Sequence, residues 1–525
     1  MNDIGRARIL SDLVRRSASR FGDSPAVEWP RSTGRAGLSY QQLQDTACRG
    51  AAVLQAHRVR PSDRVLLMLQ PGPDWVAAFF AIQAAGAVAV SLPVELERSL
   101  TSKVAFYTGA RLAIVEPGCG KLTRGFFRLK TLTPDGLLEG EPVDAVERAP
   151  HDVALLAFTS GSTGRPRIVE ITHENILSNL RALSEIRSAG PEDAMLAAVP
   201  PVHLFGLTAG VLGPLVCGSR VVFPGAPLPN RLLACLREDD ITYALAVPAI
   251  VDELGAEIAG ELRDAGVLET DAPERAPERI ADAMRTYDSV RRGVRERIGT
   301  RFHTMIVGGA ALDPAWTEVL RLVGIRLEVG YGLTETSPIV SVAFVDECPA
   351  GSVGRALPGV DVRVADDGEI LVRGPNVMRG YFKDAAATAA AFDDDGWFHT
   401  GDRGRLDDDG NLFVTGRIKE AMVTAAGETI YPDEVESYYT HPLFAELCVA
   451  PVSARDGNDI PVLFVVPRSP DLADDRLRDA FADLRAAAPA RLRVSRMVRL
   501  EKPLPRTMSG KIKRRLVGEE VTHVA

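Results

Sequence analysis

This chain is poor in lysine: eight of its 61 basic residues are lysines and the rest are arginines. Each lysine that remains therefore invites a reason. Cysteine is sparse as well, with six in 525 residues (Cys48, Cys119, Cys217, Cys235, Cys348, Cys448) and no C-x-x-C pair. That spacing argues against a zinc site and a disulfide framework and reads as buried free thiols in a reducing compartment. Positive charge is lacking overall, and the net charge of −9 argues against a dedicated nucleic-acid binder. No secretory leader is read at the start, where Arg6, Asp12, Arg15 and Arg16 interrupt any apolar core. One uncharged run of 20 residues, Trp75 to Val94, invites a membrane reading, but it is Ala-rich and holds Gln83, Gly86 and Pro93. It predicts a helix from Trp75 to about Ala85, a Gly turn and a buried strand over Ala87–Leu92, with no integral membrane segment. The expected location is cytoplasmic. Internal repeats are absent.

What is present is an ordinary globular composition, 46% hydrophobic and 25% charged. The length exceeds what one core can organise, so two or more domains are expected. Strand-like runs at Arg64–Leu69, Arg111–Val115, Ala154–Phe158, Ser219–Phe223, Tyr243–Val247, Phe302–Val307 and Arg326–Val329 alternate with helical stretches. Among the latter are Glu174–Ile186, Arg231–Arg237 and Ala315–Val323. The pattern predicts a layered α/β protein with largely parallel sheets. Glu257–Gly299 is polar and reads as a surface excursion. After about Pro349 the texture turns to short strands and Gly turns, and a compact unit of about a hundred residues follows Gly416. The expected architecture is a large domain of layered α/β subdomains over 1–415. A small α+β domain over 416–525 would follow, joined to it by a hinge.

The stretch AFTSGSTGRPRIVEITHENI, from Ala157 to Ile176, sets a loop of Gly and hydroxyl residues between two apolar runs. The backbone N–H groups of such a loop, with its Ser and Thr hydroxyls, suit phosphate oxygens. The Walker pattern G-x-x-x-x-G-K-S/T is not met, because Arg165 follows Gly164. Gly120-Lys121-Leu122 lacks both the upstream Gly and the hydroxyl. A Walker-type NTPase is excluded.

Further strings follow in order: Pro201-Val-His203-Leu-Phe-Gly206, Gly308-Gly309-Ala310, and Tyr331-Gly-Leu-Thr334-Glu335-Thr336. Then come Trp397-Phe-His-Thr-Gly401-Asp402, Gly416-Arg417-Ile-Lys419-Glu, and Pro505-Arg-Thr-Met-Ser-Gly510-Lys511. With the loop, this series resembles the adenylate-forming superfamily of acyl-CoA synthetases, peptide-synthetase adenylation domains and luciferases. The resemblance runs over nearly the whole chain. GYGLTETSPIVS and the preceding RRGVRERIG and GGAALDP look most like long-chain fatty acyl-CoA synthetases.

The resemblance implies two steps: a carboxylate attacks the α-phosphorus of ATP and releases pyrophosphate, and a thiol then releases AMP from the acyl-adenylate. Both build negative charge and call for preorganised donors and Mg²⁺. By motif position Thr159, Ser160, Gly161, Ser162, Thr163 and Gly164 would cradle the β- and γ-phosphates. Arg167 stands where the family usually has Lys, and its planar, bulkier cation is not equivalent. Glu335 would ligate Mg²⁺ with Thr163, and Thr334 would touch the α-phosphate. Tyr331 would lie against adenine, with Gly309 and Ala310 on the other side. Asp402 would bind both ribose hydroxyls, and Gly332 and Arg417 belong to the same nucleotide set. Lys511 would bridge the substrate carboxylate and the α-phosphate. Alone it reads as part of a solvated basic tail, since Arg491 to Arg515 carries ten basic residues against Glu501.

His203, Phe205, Gly308 and Gly332 would bound the acyl pocket. Relatives that activate amino acids place an Asp near His203, and His203-Leu-Phe-Gly-Leu207 offers none. Acetate-specific relatives carry Trp where Gly332 stands, so the glycine would leave room for a larger apolar acid. Lys419 occupies the hinge position, where relatives rotate the small domain between half-reactions. Ala425, Ala426 and Gly427 would flank the CoA channel, where the family usually shows a Gly-Gly pair. A methyl group there is either harmless or obstructive. Three functions remain open: an acyl-CoA synthetase, an acyl-AMP ligase that stops at the adenylate or loads a carrier protein, and a catalytically silent binding protein on the same fold.

Overall fold

The computed structural model describes residues 3–118, 129–159, 167–225, 229–248, 250–251, 254–255, 258, 260, 288–308, 314–423, 429–436, 438–441, 443–453, 459–505, 512–514 and 516–518. Two large sheets organise most of them. A seven-stranded sheet runs in the order Gly380–Tyr381, Ile168–Thr172, Val153–Phe158, Val88–Ser91, Arg64–Met68, Leu112–Val115 and Lys130–Leu132. A nine-stranded sheet has the parallel strands Arg326–Tyr331, Thr304–Gly308, Tyr243–Ala246, Ala194–Ala197, Arg220–Val222 and Pro25–Glu28 at its centre, with antiparallel strands at both edges. Val88–Ser91 of the first sheet and Ala194–Ala197, Tyr243–Ala246 and Thr304–Gly308 of the second are buried along their whole length, as parallel strands covered on both faces must be. That is why they read as unbroken apolar runs in the sequence. Each expected strand falls within two residues of an observed one, and the expected helices correspond to His173–Ile186, Pro229–Glu238 and Pro314–Leu322.

The uncharged run from Trp75 resolves as the helix Pro73–Ala84, a turn at Gly86 with φ +70°, and the strand Val88–Ser91. The helix is buried on nearly every side between its neighbours, which explains its lack of a polar face. Among the described residues no helix is long and apolar enough to cross a membrane. Of the polar stretch Glu257–Gly299, the described part includes the helix Asp288–Arg297.

Beyond Pro349 the texture changes as expected. A four-stranded antiparallel sheet (Asp361–Val364, Glu369–Arg373, Phe398–Leu406, Leu412–Arg417) is followed by a three-stranded sheet (Phe444–Ser453, Asp459–Pro467, Arg496–Arg499). The helix Asp474–Ala487 packs its Leu477 and Ala480 into a core shared with Val449, Leu463 and Val465 of that last sheet. The architecture is thus a large N-terminal α/β part and a smaller C-terminal α+β part. Gly416 lies inside the strand Leu412–Arg417, whose last residues Gly416 and Arg417 pair with Arg403 and Asp402.

Candidate active site

The loop after Phe158 is closed at its neck. Thr159 N–H donates to the Arg167 carbonyl at 2.9 Å, and Arg167 N–H donates to Thr159 Oγ1 at 3.3 Å. This extends the antiparallel pairing of Val153–Phe158 with Ile168–Thr172 by one rung and fixes both ends of the intervening loop. Ser160, Gly161, Ser162, Thr163 and Gly164 lie outside the described residues, as do Gly309, Ala310, Ala425, Ala426, Gly427 and Lys511.

Arg167 is exposed, and its guanidinium lies 4.9 Å from the centre of the Tyr381 ring. Tyr381 sits on the two-residue strand Gly380–Tyr381, paired with Val169 at the edge of the seven-stranded sheet. Its hydroxyl donates to Glu335 Oε1 at 3.0 Å. Burial, reinforced by the Glu335 carboxylate, pushes the phenol pKa up, so Tyr381 stays a donor at neutral pH. Sequence reasoning did not single out Tyr381. Its signal was one aromatic in a strand too short to show a period.

Glu335 is held on the short turn Thr334–Thr336 by a web of backbone bonds. Thr336 Oγ1 accepts from Leu333 N–H at 2.9 Å, and Asn376 Nδ2 donates to the Thr336 carbonyl at 3.1 Å. Asn179, on the helix His173–Ile186, both donates to the Ile339 carbonyl at 3.0 Å and accepts from Ile339 N–H at 2.9 Å. The Glu335 carbonyl accepts from Met378 N–H at 2.8 Å. Gly332 has a steric reason of its own: a Cβ there would stand 1.9 Å from the Pro338 carbonyl oxygen. The close approach of the two backbones demands glycine before any question of pocket size arises.

A second cluster forms where the nine-stranded sheet meets the four-stranded antiparallel one. Tyr331 OH donates to Asp402 Oδ2 at 3.0 Å, and Arg417 Nε lies 3.2 Å from Asp402 Oδ1. Asp402 is buried, and its turn is shaped by neighbours: Asp402 N–H donates to Thr400 Oγ1 at 3.1 Å, and Gly401 N–H to Glu369 Oε1 at 2.8 Å. Burial, with Asp402 adjacent, raises the Tyr331 phenol as well. Here a buried carboxylate is oriented by a phenol and a guanidinium.

His203 precedes the short helix Leu204–Leu207, and burial lowers its pKa, so the imidazole is neutral near pH 7. A Cβ on Gly308 would come within 2.9 Å of Phe205 Cζ, so the glycine lets the phenyl ring lie across the strand end. Gly308 in turn pairs with Gly330, directly before Tyr331. Phe205 and Tyr331 pack against one apolar cluster. The structure therefore brings His203, Phe205, Gly308, Tyr331, Thr334 and Glu335 to neighbouring strand ends, with Arg167, Asp402 and Arg417 alongside.

Lys419 is exposed on the turn Ile418–Glu420. Directly after it, Glu420 Oε2 accepts from Arg514 Nε at 3.0 Å. The same guanidinium bonds Asp433 and Glu436, tying the end of the chain to the body of the small part.

Among the described residues no three acids, histidines or cysteines converge as a metal cage. Glu335 offers one carboxylate beside a phenol donor and an arginine. That set fits Mg²⁺, which keeps waters and is held by one or two carboxylates together with substrate phosphates. When bound, Mg²⁺ neutralises charge building on phosphate oxygens.

Residues 14–382 match the family described as AMP-binding enzyme. The chain belongs to that family. Among relatives of this AMP-binding enzyme is the 3-[(3aS,4S,7aS)-7a-methyl-1,5-dioxo-octahydro-1H-inden-4-yl]propanoyl:CoA ligase of Rhodococcus jostii (strain RHA1). It is 30% identical, covering 97% of this chain and 98% of that protein. A feruloyl-CoA synthase of Amycolatopsis sp is 31% identical over 93% of this chain and 95% of its own. A solved structure of the anthranilate CoA ligase AuaEII in complex with anthranoyl-AMP superposes with a TM-score of 0.83 at 19% identity, covering 98% of both chains. The fold is thus that of adenylate-forming enzymes, and the substrates and cofactors of the family are ATP, Mg²⁺ and CoA.

Proposed function

We propose that this AMP-binding enzyme is an AMP-forming carboxylic acid–CoA ligase whose acid carries a ring system rather than a long straight chain. The observation that carries the reading is the pairing of two clusters around one short stretch. Tyr331 holds Asp402 at one end, and four residues on Glu335 holds Tyr381 at the other.

In this reading Asp402, oriented by Tyr331 and Arg417, accepts the ribose hydroxyls. Thr159 and Arg167 frame the phosphate loop. Glu335 provides the metal carboxylate, and Tyr381 spans Glu335 and Arg167 to set their separation. Thr334 faces the α-phosphate, and Lys511 supplies the mobile cation that pairs the attacking carboxylate with it. His203, neutral and half-buried, and Phe205 bound the acid. A neutral imidazole suits that place, because it neither attracts a second carboxylate nor competes with Lys511 for the first. Lys419 is the hinge, with residues 416–525 as the rotating unit, and the segment 425–427 lies along the CoA channel.

A ring acid is supported by the relatives. The Rhodococcus ligase is named for a methyl-dioxo-octahydroindenyl acid and the Amycolatopsis enzyme for a feruloyl group. The likeness of GYGLTETSPIVS to long-chain synthetases is not matched by these relatives, and the fatty-acid expectation is carried no further.

The test is ATP–pyrophosphate exchange over a panel of acids, followed by AMP and thioester formation with CoA. Acid-dependent exchange and a CoA thioester with arylpropanoates or cinnamates is the expected result. Exchange without a CoA thioester would leave an acyl-AMP ligase that stops at the adenylate or loads a carrier protein. No exchange with any acid would leave only a binding protein.

A further inference from the structure

We infer that Glu328 and Arg187 form the far wall of the acid pocket and select acids that carry a hydroxyl or carbonyl group remote from the carboxylate. This rests on the carboxylate-ligase reading above and names a substrate class within it. In the nine-stranded sheet Gly308 pairs with Gly330, and two residues earlier Ile306 pairs with Glu328. Residues two apart on a strand share a face and stand about 7 Å apart. Glu328 therefore lies on the face over which Phe205 lies at Gly308, two residues back from the strand end. The same apolar cluster holds Ile306, Leu245 and Tyr243 and receives Phe205 and Tyr331, so apolar side chains run without a break from the strand ends to the level of Glu328.

An acidic residue here interrupts a wall that is otherwise apolar. Its partner is Arg187, the residue that ends the helix His173–Ile186, and the two side chains form an ion pair. The Arg187 guanidinium also lies 5.6 Å from the centre of the Tyr243 ring. Both side chains are mostly covered, with 19% and 9% of their surface exposed. Burial lowers the Arg187 pKa to about 10, which leaves it charged at neutral pH.

Stability does not explain such a pair, since replacing a buried ion pair with apolar side chains of similar volume is often neutral or stabilising. Arg187 Nε is moreover buried without a hydrogen-bond partner. A hydroxyl or carbonyl of the acid, seated at this depth, would supply the missing acceptor. An alkyl chain pushed against the same pair would leave it desolvated and uncompensated. A site that hydrogen-bonds a substrate group discriminates strongly against the analogue lacking it.

The test uses the full-length protein with 3-(4-hydroxyphenyl)propanoate, 3-phenylpropanoate and octanoate in the exchange assay. The wild type is expected to favour the hydroxylated acid over the plain one by about tenfold or more in kcat/KM. Removing one partner alone strands a buried charge, so the principal variant is the double replacement Arg187→Met with Glu328→Leu. It should bring the two aryl acids to within about twofold and raise octanoate, with the KM for ATP unchanged. If the double variant melts early, Arg187→Lys keeps a positive charge beside Glu328 but removes the Nε donor, and should still lower the preference several-fold. A folded double variant with the wild-type ratio overturns the inference and spares the proposed function, whereas a wild type that prefers octanoate overturns the inference and the ring-acid reading and leaves a carboxylic acid–CoA ligase. A wild type without exchange for any acid overturns both.

Discussion

The Tyr381 hydroxyl donates to Glu335 Oε1 at 3.0 Å while the Arg167 guanidinium lies 4.9 Å from the centre of the same ring. One phenol thus joins the residue after the phosphate loop to the expected metal carboxylate, across more than 160 positions of sequence. Burial keeps the phenol protonated, so it is a permanent donor toward Glu335.

Tyr381→Phe should retain the ring beneath Arg167 and delete only the bond to Glu335. We expect kcat for pyrophosphate exchange to fall by about tenfold, the worth of one charge-assisted bond of about 1.5 kcal/mol. The Mg²⁺ concentration for half-maximal rate should rise, and the melting temperature should move little. Unchanged rate and Mg²⁺ dependence would reduce Tyr381 to a packing residue.

Much of this was legible beforehand, and for a physical reason. Central parallel strands are apolar on both faces, so Tyr243–Ala246 and Thr304–Gly308 declared themselves as runs. Glu335 and Asp402 stood in strings long enough to identify. Tyr381, Asn179 and Asn376 did not, because each acts through a partner far away in sequence, and single residues carry no period. Gly332 was legible as a glycine but not in its cause, which lies in the approach of the Pro338 carbonyl.

That cause changes what a substitution at Gly332 reports. Even Gly332→Ala places a methyl 1.9 Å from the Pro338 carbonyl oxygen, directly before the Ile339 carbonyl that Asn179 and Asn376 both hold. We expect a loss of about 2 kcal/mol or more, as for other overpacked sites, with exchange lost for every acid alike. A stable variant that merely changes its acid preference would show that the turn yields and that the glycine governs pocket size.

His173 makes stability depend on pH. It is buried at the start of the helix His173–Ile186, and its Nδ1 accepts the Leu10 N–H at 3.2 Å. Burial lowers its pKa from 6.5 to about 4. The unfolded chain therefore takes up a proton below pH 6.5 that the folded chain refuses until about pH 4. The contribution is fully present above pH 6.5 and is lost as the pH falls toward 4. The shift is worth about 3 kcal/mol. Denaturant unfolding of the wild type between pH 7 and pH 4.5 should show this decline. His173→Asn, whose Oδ1 can accept the same N–H without titrating, should flatten it. An equal slope in the variant would place the acid sensitivity elsewhere.

The proposed hinge is bracketed by two ion pairs. Arg417 is held to Asp402 of the large part at 3.2 Å, and Glu420 to Arg514 of the small part at 3.0 Å. Ile418 and Lys419 alone lie between, so a rotation that keeps both pairs must be absorbed there. Arg514 stands three residues after Lys511 and also bonds Asp433 and Glu436, so the lysine-bearing segment would travel with Glu420. Lys419 is exposed on a tight turn, where a fixed φ near −65° is compatible with the observed state. Lys419→Pro should therefore fold normally but restrict Ile418 as well and hold the small part near one orientation. If that orientation is the adenylate-forming one, pyrophosphate exchange should stay near the wild-type rate. Thioester formation from supplied acyl-adenylate and CoA should then fall by more than tenfold. The mirror outcome, thioester formation kept and exchange lost, would identify the trapped orientation as the other one and still support the hinge. Wild-type rates in both half-reactions would mean that no rotation about Lys419 is needed. Equal loss of both, with an unchanged melting temperature, would move the hinge away from this turn.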